Sequence, residues 1–276
     1  MTIVTKDDVR DGARRLGILE TDSVLIHSSL KSLGYVEGGA DAVIDGFYEA
    51  LSEGTLIFPT LCQKDFRHAY ETWHMDKESD VGHITNVFRK REGAYRSNQA
   101  THSVAAMGKD AIYLTKTHGE SGKRFGNYGE TPFAADSPWE KMYKMNTKIV
   151  FLGVGMLYCT FRHYAEYVFV NESLEKIKNL PEHDEMKKAL WLYGGPRTVW
   201  PHLKNEELYL WFKEQGLVTE TTIGEAKVIC VESKIFVDKC LEVLEEADNR
   251  YLWDVGICYE ETLEWMKKLK ELKGKC

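Results

Sequence analysis

Apolar positions in the first half of the chain alternate between helical stripes and short unbroken runs. Val9, Ala13 and Leu16 form a helical stripe behind a capping Thr5, and Gly17 ends it. Residues 23–27, SVLIH, form a short apolar run that reads as a strand. It enters a loop rich in hydroxyls and glycines, Ser28-Ser29-Leu30-Lys31-Ser32-Leu33-Gly34, followed by Gly38-Gly39. A helix from Ala40 then places Val43, Ile44, Phe47 and Leu51 on one face, and 55–60, TLIFPT, reads as the next strand. Strand, loop, helix, strand is the order of a parallel sheet.

Further on, 103–107 reads as a strand closed by Gly108, with the polar run 96–102 before it. A short helix over 111–117 and a glycine-rich loop over 119–129 follow. Ser137 is placed to cap a helix whose first residue is Pro138. Residues 149–152 form a β-branched strand ending at Gly153-Val154-Gly155, and Thr160 is placed to cap the next helix. Beyond 170 the pattern changes: 181–205 reads as extended, 206–215 as a helix with Leu208, Trp211 and Phe212 inward. Val237, Cys240, Leu241 and Leu244 mark another helix, and Tyr259, Leu263, Met266 and Leu269 a last one. The fold predicted is α/β: a central mixed, largely parallel sheet flanked by helices, with a smaller embedded lobe. The whole chain, 1–276, reads as a single domain, its lobe at about 170–225 and a C-terminal helical tail at about 248–276.

Composition narrows the class. At 43% apolar and 29% charged the chain is an ordinary globular one, with no apolar run long enough to span a bilayer. The N-terminus lacks a basic segment followed by an apolar one, so a cytoplasmic location without membrane attachment is expected. A net charge of −7 argues against nucleic acid and fits a cationic small molecule. The cysteines at 62, 159, 230, 240, 258 and 276 show no paired spacing and read as reduced thiols.

Chemistry concentrates in three places. His163 and Glu166, at i, i+3, share one face of the helix after the 149–152 strand. On the residues alone, a core histidine paired with a helical neighbour is the plainer reading, and an oriented general base is the alternative. The Ser28-Ser29-Leu30-Lys31 loop offers backbone N–H groups to an anion, though it matches neither a P-loop nor GxGxxG. The long polar stretch 63–80 carries His68, His74, Asp65, Asp76 and Asp80, with His83 just beyond, but its spacings match no metal motif, so no metal is expected. Cys159, or Ser103 with a histidine, raises a hydrolase reading, which the absence of GxSxG disfavours.

Four blocks together resemble one family, the aminoglycoside 3-N-acetyltransferases: IHSSLKSLG (26–34), GAYRSNQATHSVAAMG (93–108), TPFAADSPWEKM (131–142) and FLGVGMLYCTFRHYAEY (151–167). The resemblance covers roughly 5–245. It implies an acetyl-CoA-dependent transferase outside the GNAT fold, a small-molecule amine acceptor, a link to antibiotic resistance, and a monomer or homodimer. It implies that His163 is the general base with Glu166 beside it, and that transfer is direct. It places the coenzyme on Ser28, Ser29, Leu30 and Lys31, on Arg96, Thr101, His102, Ser103 and Val104, and on Asp136 and Ser137. The family's RSxHP reads Arg96-Ser97-Asn98-Gln99-Ala100 here. His102 and Ser103 are the candidate oxyanion donors. A polycationic acceptor needs carboxylates, for which Asp65, Asp76 and Asp80 are available.

Overall fold

The computed structural model describes residues 3–62, 64, 69–118, 132–190, 200–246, 249–252 and 259–276. Its strands are β1 (Ile3–Val4), β2 (Ser23–Ser28), β3 (Tyr35–Val36), β4 (Thr55–Pro59), β5 (Tyr95–Arg96), β6 (Val104–Gly108), β7 (Lys148–Leu152), β8 (Thr219–Ile223) and β9 (Ala226–Glu232). The helices of the first half are α1 (Lys6–Arg15), α2 (Gly39–Ala50), α3 (Ala69–Thr72), α4 (His83–Phe88), α5 (Ala111–Thr115) and α6 (Pro138–Lys144). Those of the second half are α7 (Phe161–Lys176), α8 (His183–Ala189), α9 (Asn205–Glu214), α10 (Ser233–Glu246) and α11 (Tyr259–Lys273).

Seven strands form one sheet in the order β5-β6-β4-β2-β7-β9-β8. The sheet is mixed, as expected, but parallel only at its centre, where β2 pairs with β4 and β7. Every outer pairing is antiparallel. The expectation of a largely parallel sheet is corrected here. For the β8–β9 pair the reason is local. Gly224, at φ 57°, and Glu225 form the two-residue link between β8 and β9, and strands joined so tightly must run opposite ways.

Both faces of the sheet are covered. Val24, Ile26, Leu56 and Phe58 pack against Val9 and Ala13 of α1 and Val43, Ile44 and Phe47 of α2. On the other face Leu25, Ile57, Ile149 and Phe151 pack against Trp139 of α6, Ala165 and Phe169 of α7, and Phe236 and Cys240 of α10. Successive strand residues point to opposite faces, so a strand buried on both reads as an unbroken apolar run. Leu208 and Phe212 of α9 and Met266 and Leu269 of α11 extend the second cluster. No helix among the described residues is long and apolar enough to cross a membrane.

Local signals act where they were read. The Thr5 side chain and Asp8 form a reciprocal capping box on α1. Ser137 accepts the Glu140 N–H, with Pro138 in the first turn of α6. Thr160 stands at the N-cap of α7, but its hydroxyl makes no cap bond.

The central parallel strands matter for function because β2, β4 and β7 end at the same edge. There Ser29 N–H donates to the Leu152 carbonyl at 2.9 Å, tying the loop after β2 to the end of β7. Gly153 turns the chain at φ 65°, and a Cβ there would stand 2.5 Å from the Ser32 Cβ. Gly153→Ala should therefore lower stability by about 1–3 kcal/mol from backbone strain alone. Urea denaturation checks it, and an unchanged midpoint would show that the turn relaxes freely.

Candidate active site

A cleft of about 1030 Å³ opens at that edge. His27 and Ser28 line it from β2, Pro59 from the end of β4 and Leu61 just beyond it, Gly153 and Gly155 from the turn after β7, and Thr160, Arg162 and His163 from the start of α7. Ligand clefts of open α/β sheets lie at the carboxyl ends of their parallel strands. A smaller recess of about 530 Å³ adjoins it, with Ser28 and Ser29 shared between the two and Leu30, Lys31, Gly39 and His83 on its far side.

His163 is oriented by Glu166. Its Nδ1 lies 2.9 Å from Glu166 Oε2, one helical turn along α7. The carboxylate is fully buried, and its other bonds come from a distant segment: Trp200 Nε1–H donates to Oε2 at 2.9 Å and the Leu203 backbone N–H to Oε1 at 2.8 Å. His202 Nδ1 stands 3.5 Å from Oε2. Burial alone would push Glu166 up. The contacts with His163 and His202 more than offset it and hold the carboxyl well below its ordinary range. An ionised carboxylate only accepts, so Nδ1 of His163 carries the proton and Nε2 keeps its lone pair.

Burial lowers the His163 pKa below its ordinary 6.5, with Glu166 opposing the shift. The imidazole is therefore neutral at neutral pH. Around it stand the rings of His202 at 5.8 Å, His102 at 6.0 Å and Phe133 at 6.1 Å, centroid to centroid. His163, Glu166 and His202 also form a triad with metal-ligand spacing. Its shared oxygen already accepts from Trp200 and His163. Cys159, on the cleft wall, is pushed up to about 12 by burial and is a thiol at neutral pH.

The remaining sequence-predicted positions divide. Ser28, Ser29 and Asp80 line the cleft, and Leu30 and Lys31 line the recess. Arg96 does not face either. Its guanidinium donates to the carbonyls of Thr60, Met75 and Lys77, to the Thr60 and Ser103 hydroxyls and to Cys62 Sγ. Those bonds engage all of its donors, so it clamps the 75–77 loop to the end of β4 and has none left for a phosphate. Thr101, His102, Ser103 and Val104 are buried, and none lines the cleft or the recess. Ser103 Oγ donates to the Thr60 carbonyl, and the Gln99 side chain accepts the N–H groups of Thr101 and His102. Asp136 and Ser137 serve the start of α6, where Asp136 N–H donates to Glu140. Asp76 is exposed away from the cleft, and Asp65 lies outside the described residues, as do His68 and the 119–129 loop.

Sequence reasoning missed Trp200, Leu203 and His202, which reach Glu166 from more than thirty positions away. It also missed His27, Lys64 and Arg162 on the cleft wall. A polar residue closing an apolar strand, as His27 does, is the one signal that was available.

Fold and site together define an α/β protein with a carboxylate-held histidine in a cleft at the ends of parallel strands. A sequence model of the aminoglycoside 3-N-acetyltransferase family matches residues 25–245, and the chain belongs to that family. It is similar to the SPbeta prophage-derived aminoglycoside N(3')-acetyltransferase-like protein YokD of Bacillus subtilis (strain 168), with 30% identity over 185 residues, 59% of this chain and 65% of that protein. The chain spans less than two thirds of the length of such curated relatives. Its fold matches the crystal structure of aminoglycoside acetyltransferase AAC(3)-IVa as apoenzyme, with TM-score 0.71 and 19% identity over 98% of this chain and 99% of that one. It also matches the binary structure of AAC-IIIb with CoASH, with TM-score 0.68 and 17% identity over 91% and 98%.

The buried neutral histidines link stability to pH. Burial lowers His27 and His118 to about 3 and lowers His102 and His163. The unfolded chain protonates each near 6.5. Below that pH the unfolded state binds more protons, so stability falls as pH falls, by up to about 1.4 kcal/mol per pH unit for each group. The urea midpoint should drop steadily from about pH 7 to about pH 5. A flat midpoint across that window would mean that these histidines are not held neutral.

Proposed function

We propose that the protein is an acetyl-CoA-dependent N-acetyltransferase that moves an acetyl group directly to the amine of an aminoglycoside-like small molecule. Family membership supports the reaction class. The observation that carries the reading is the His163–Glu166 pair on the cleft wall, with Nδ1 committed to the carboxylate and Nε2 left to act as base. That AAC-IIIb has been solved with CoASH supports the choice of co-substrate. The cleft fits such a molecule in size, and Lys64 and Arg162 on its wall suit its phosphates.

In this reading His163 Nε2 takes a proton from the acceptor amine as its nitrogen attacks the thioester carbon. Glu166 holds the imidazole in the productive tautomer and stabilises the imidazolium that forms. Asp80 stands on the cleft wall, where an ammonium group of the acceptor can meet it. No residue of the chain is acylated, in keeping with a Cys159 that stays protonated.

Acetyl-CoA should raise the melting temperature of the wild-type protein, because a ligand that binds only the folded state stabilises it. A free-thiol release assay over aminoglycosides and simple amines tests turnover. His163→Ala should lower kcat by on the order of 10²–10⁴ with coenzyme affinity near wild type. Glu166→Gln should lower kcat by about tenfold or more and move the acidic limb of the pH profile downward, since the carboxylate raises the histidine's pKa. Full turnover by a folded His163→Ala protein would sink the assignment. Cys159→Ala should keep most of its activity, and an acetylated Cys159 seen by intact mass would point to a covalent route instead.

A further inference from the structure

His27 is the anomaly of this site. It lies at the end of β2, opposite Phe151 of β7, and stacks on that ring at 5.5 Å and 10°. Its side chain is 5% exposed and lines the main cleft. The buried His118 and His102 and the half-buried His163 each hold at least one hydrogen bond. His118 bonds Ser97 Oγ at 2.8 Å and the Pro132 carbonyl at 2.9 Å, His102 bonds Thr101 Oγ1 at 2.8 Å, and His163 bonds Glu166. Nε2 of His27, in contrast, is buried without a protein partner among the described residues. A buried polar group left unsatisfied in a native fold calls for an explanation, and a small turn of the ring toward the cleft it lines would give it a partner.

We propose that His27 is the oxyanion donor of this site: a neutral imidazole that gives a ring N–H to the oxygen of the acyl group during transfer. It lines the same cleft as His163 and, two residues on from Leu25 and beside Phe151, lies on the sheet face that α7 covers. Burial keeps it unprotonated through the neutral range, so it competes with neither the base nor the amine for protons. A neutral imidazole is a competent electrophile when its surroundings hold it neutral.

The step balances. The amine lone pair forms the C–N bond, and the carbonyl π pair moves onto oxygen, where the His27 N–H meets it. His163 Nε2 takes the amine proton. The oxygen pair then re-forms C=O, the C–S bond breaks, and the departing thiolate takes a proton from the His163 imidazolium. The amide and free coenzyme thiol result, with both histidines back in their starting states. Ser103, one of the donors expected from the sequence, gives its hydroxyl to the Thr60 carbonyl, and neither it nor His102 lines the cleft.

This inference rests on the proposed acetyltransferase reading, and the experiment separates the two. Acetyl-CoA binding to the wild-type protein is measured by calorimetry, and thiol release is measured on the best acceptor of the amine panel. His27→Phe keeps the ring stack, and His27→Gln restores an N–H donor. His27→Phe should lower kcat by on the order of 10²–10³ with coenzyme Kd near wild type. His27→Gln should recover part of the loss. The melting temperature of His27→Phe, or of His27→Leu should the larger ring not fit, should equal or exceed wild type, because the unsatisfied imidazole is gone. A deficit in kcat that stays constant across neutral pH would fit a donor and not a second base. Undiminished kcat in a folded His27→Phe protein overturns the role of His27 alone. A weakened Kd with unchanged kcat also overturns it, and makes His27 a coenzyme contact. Failure of the wild type to bind acetyl-CoA overturns the transferase reading and the role of His27 with it.

Discussion

A carboxylate with no solvent contact must be paid for by its neighbours, and Glu166 is such a group. An unpaired buried charge costs several kcal/mol, so the fold near it has to deliver donors. It does so from two sources: His163 on the same helix, and Trp200 with Leu203 from a segment far along the chain. The bond from Leu203 N–H commits the backbone there, and Arg162 on α7 donates back to the Leu203 carbonyl. The start of α7 and the 200–203 segment are thereby held in one arrangement. That arrangement sets the tautomer of His163, so one buried charge links the packing of the chain to the chemistry of its cleft.

Much of this was legible locally. The i, i+3 spacing of His163 and Glu166, the apolar runs of β2, β4 and β7, and the Ser137–Pro138 helix start depend on near neighbours, and each appears where the pattern placed it. What was not legible depends on long-range approach. Nothing near Trp200 marks it as a donor to a residue 34 positions earlier. The hairpin of β8 and β9 was visible in principle: Gly224 divides two alternating runs, the usual signature of a two-residue turn.

The polar run before β6 shows why residue type alone misleads. Arginine, serine, asparagine and glutamine in sequence look like a surface awaiting an anion. The fold instead turns Arg96, Ser97 and Gln99 inward to satisfy backbone groups where the chain leaves regular structure, and leaves Asn98 exposed. Arg96 meets carbonyls of the 75–77 loop, Trp73 lies over it at 4.7 Å, and the Trp73 indole donates to Asn98. Gln99 takes N–H groups that no strand partner reaches. Buried irregular backbone needs such partners as strictly as a ligand does. A dense polar segment is thus as compatible with an internal brace as with a binding surface. The length of the loop it braces was the better clue.

The same desolvation acts on each histidine of the site with a different result, because the partners differ. His118 is capped on both nitrogens and serves packing. His163 is buried beside an ionised carboxylate, which restores part of the basicity that burial removes. A base must be unprotonated at working pH and still strong enough to take a proton, and those demands pull its pKa in opposite directions. Burial meets the first and Glu166 meets the second. His27 has burial without a carboxylate, so it keeps the neutral form and loses basicity, the condition for donating a hydrogen bond without exchanging a proton. Two imidazoles on one cleft wall are thus left with different basicity by the presence or absence of a single buried charge, which is what the two proposed roles require.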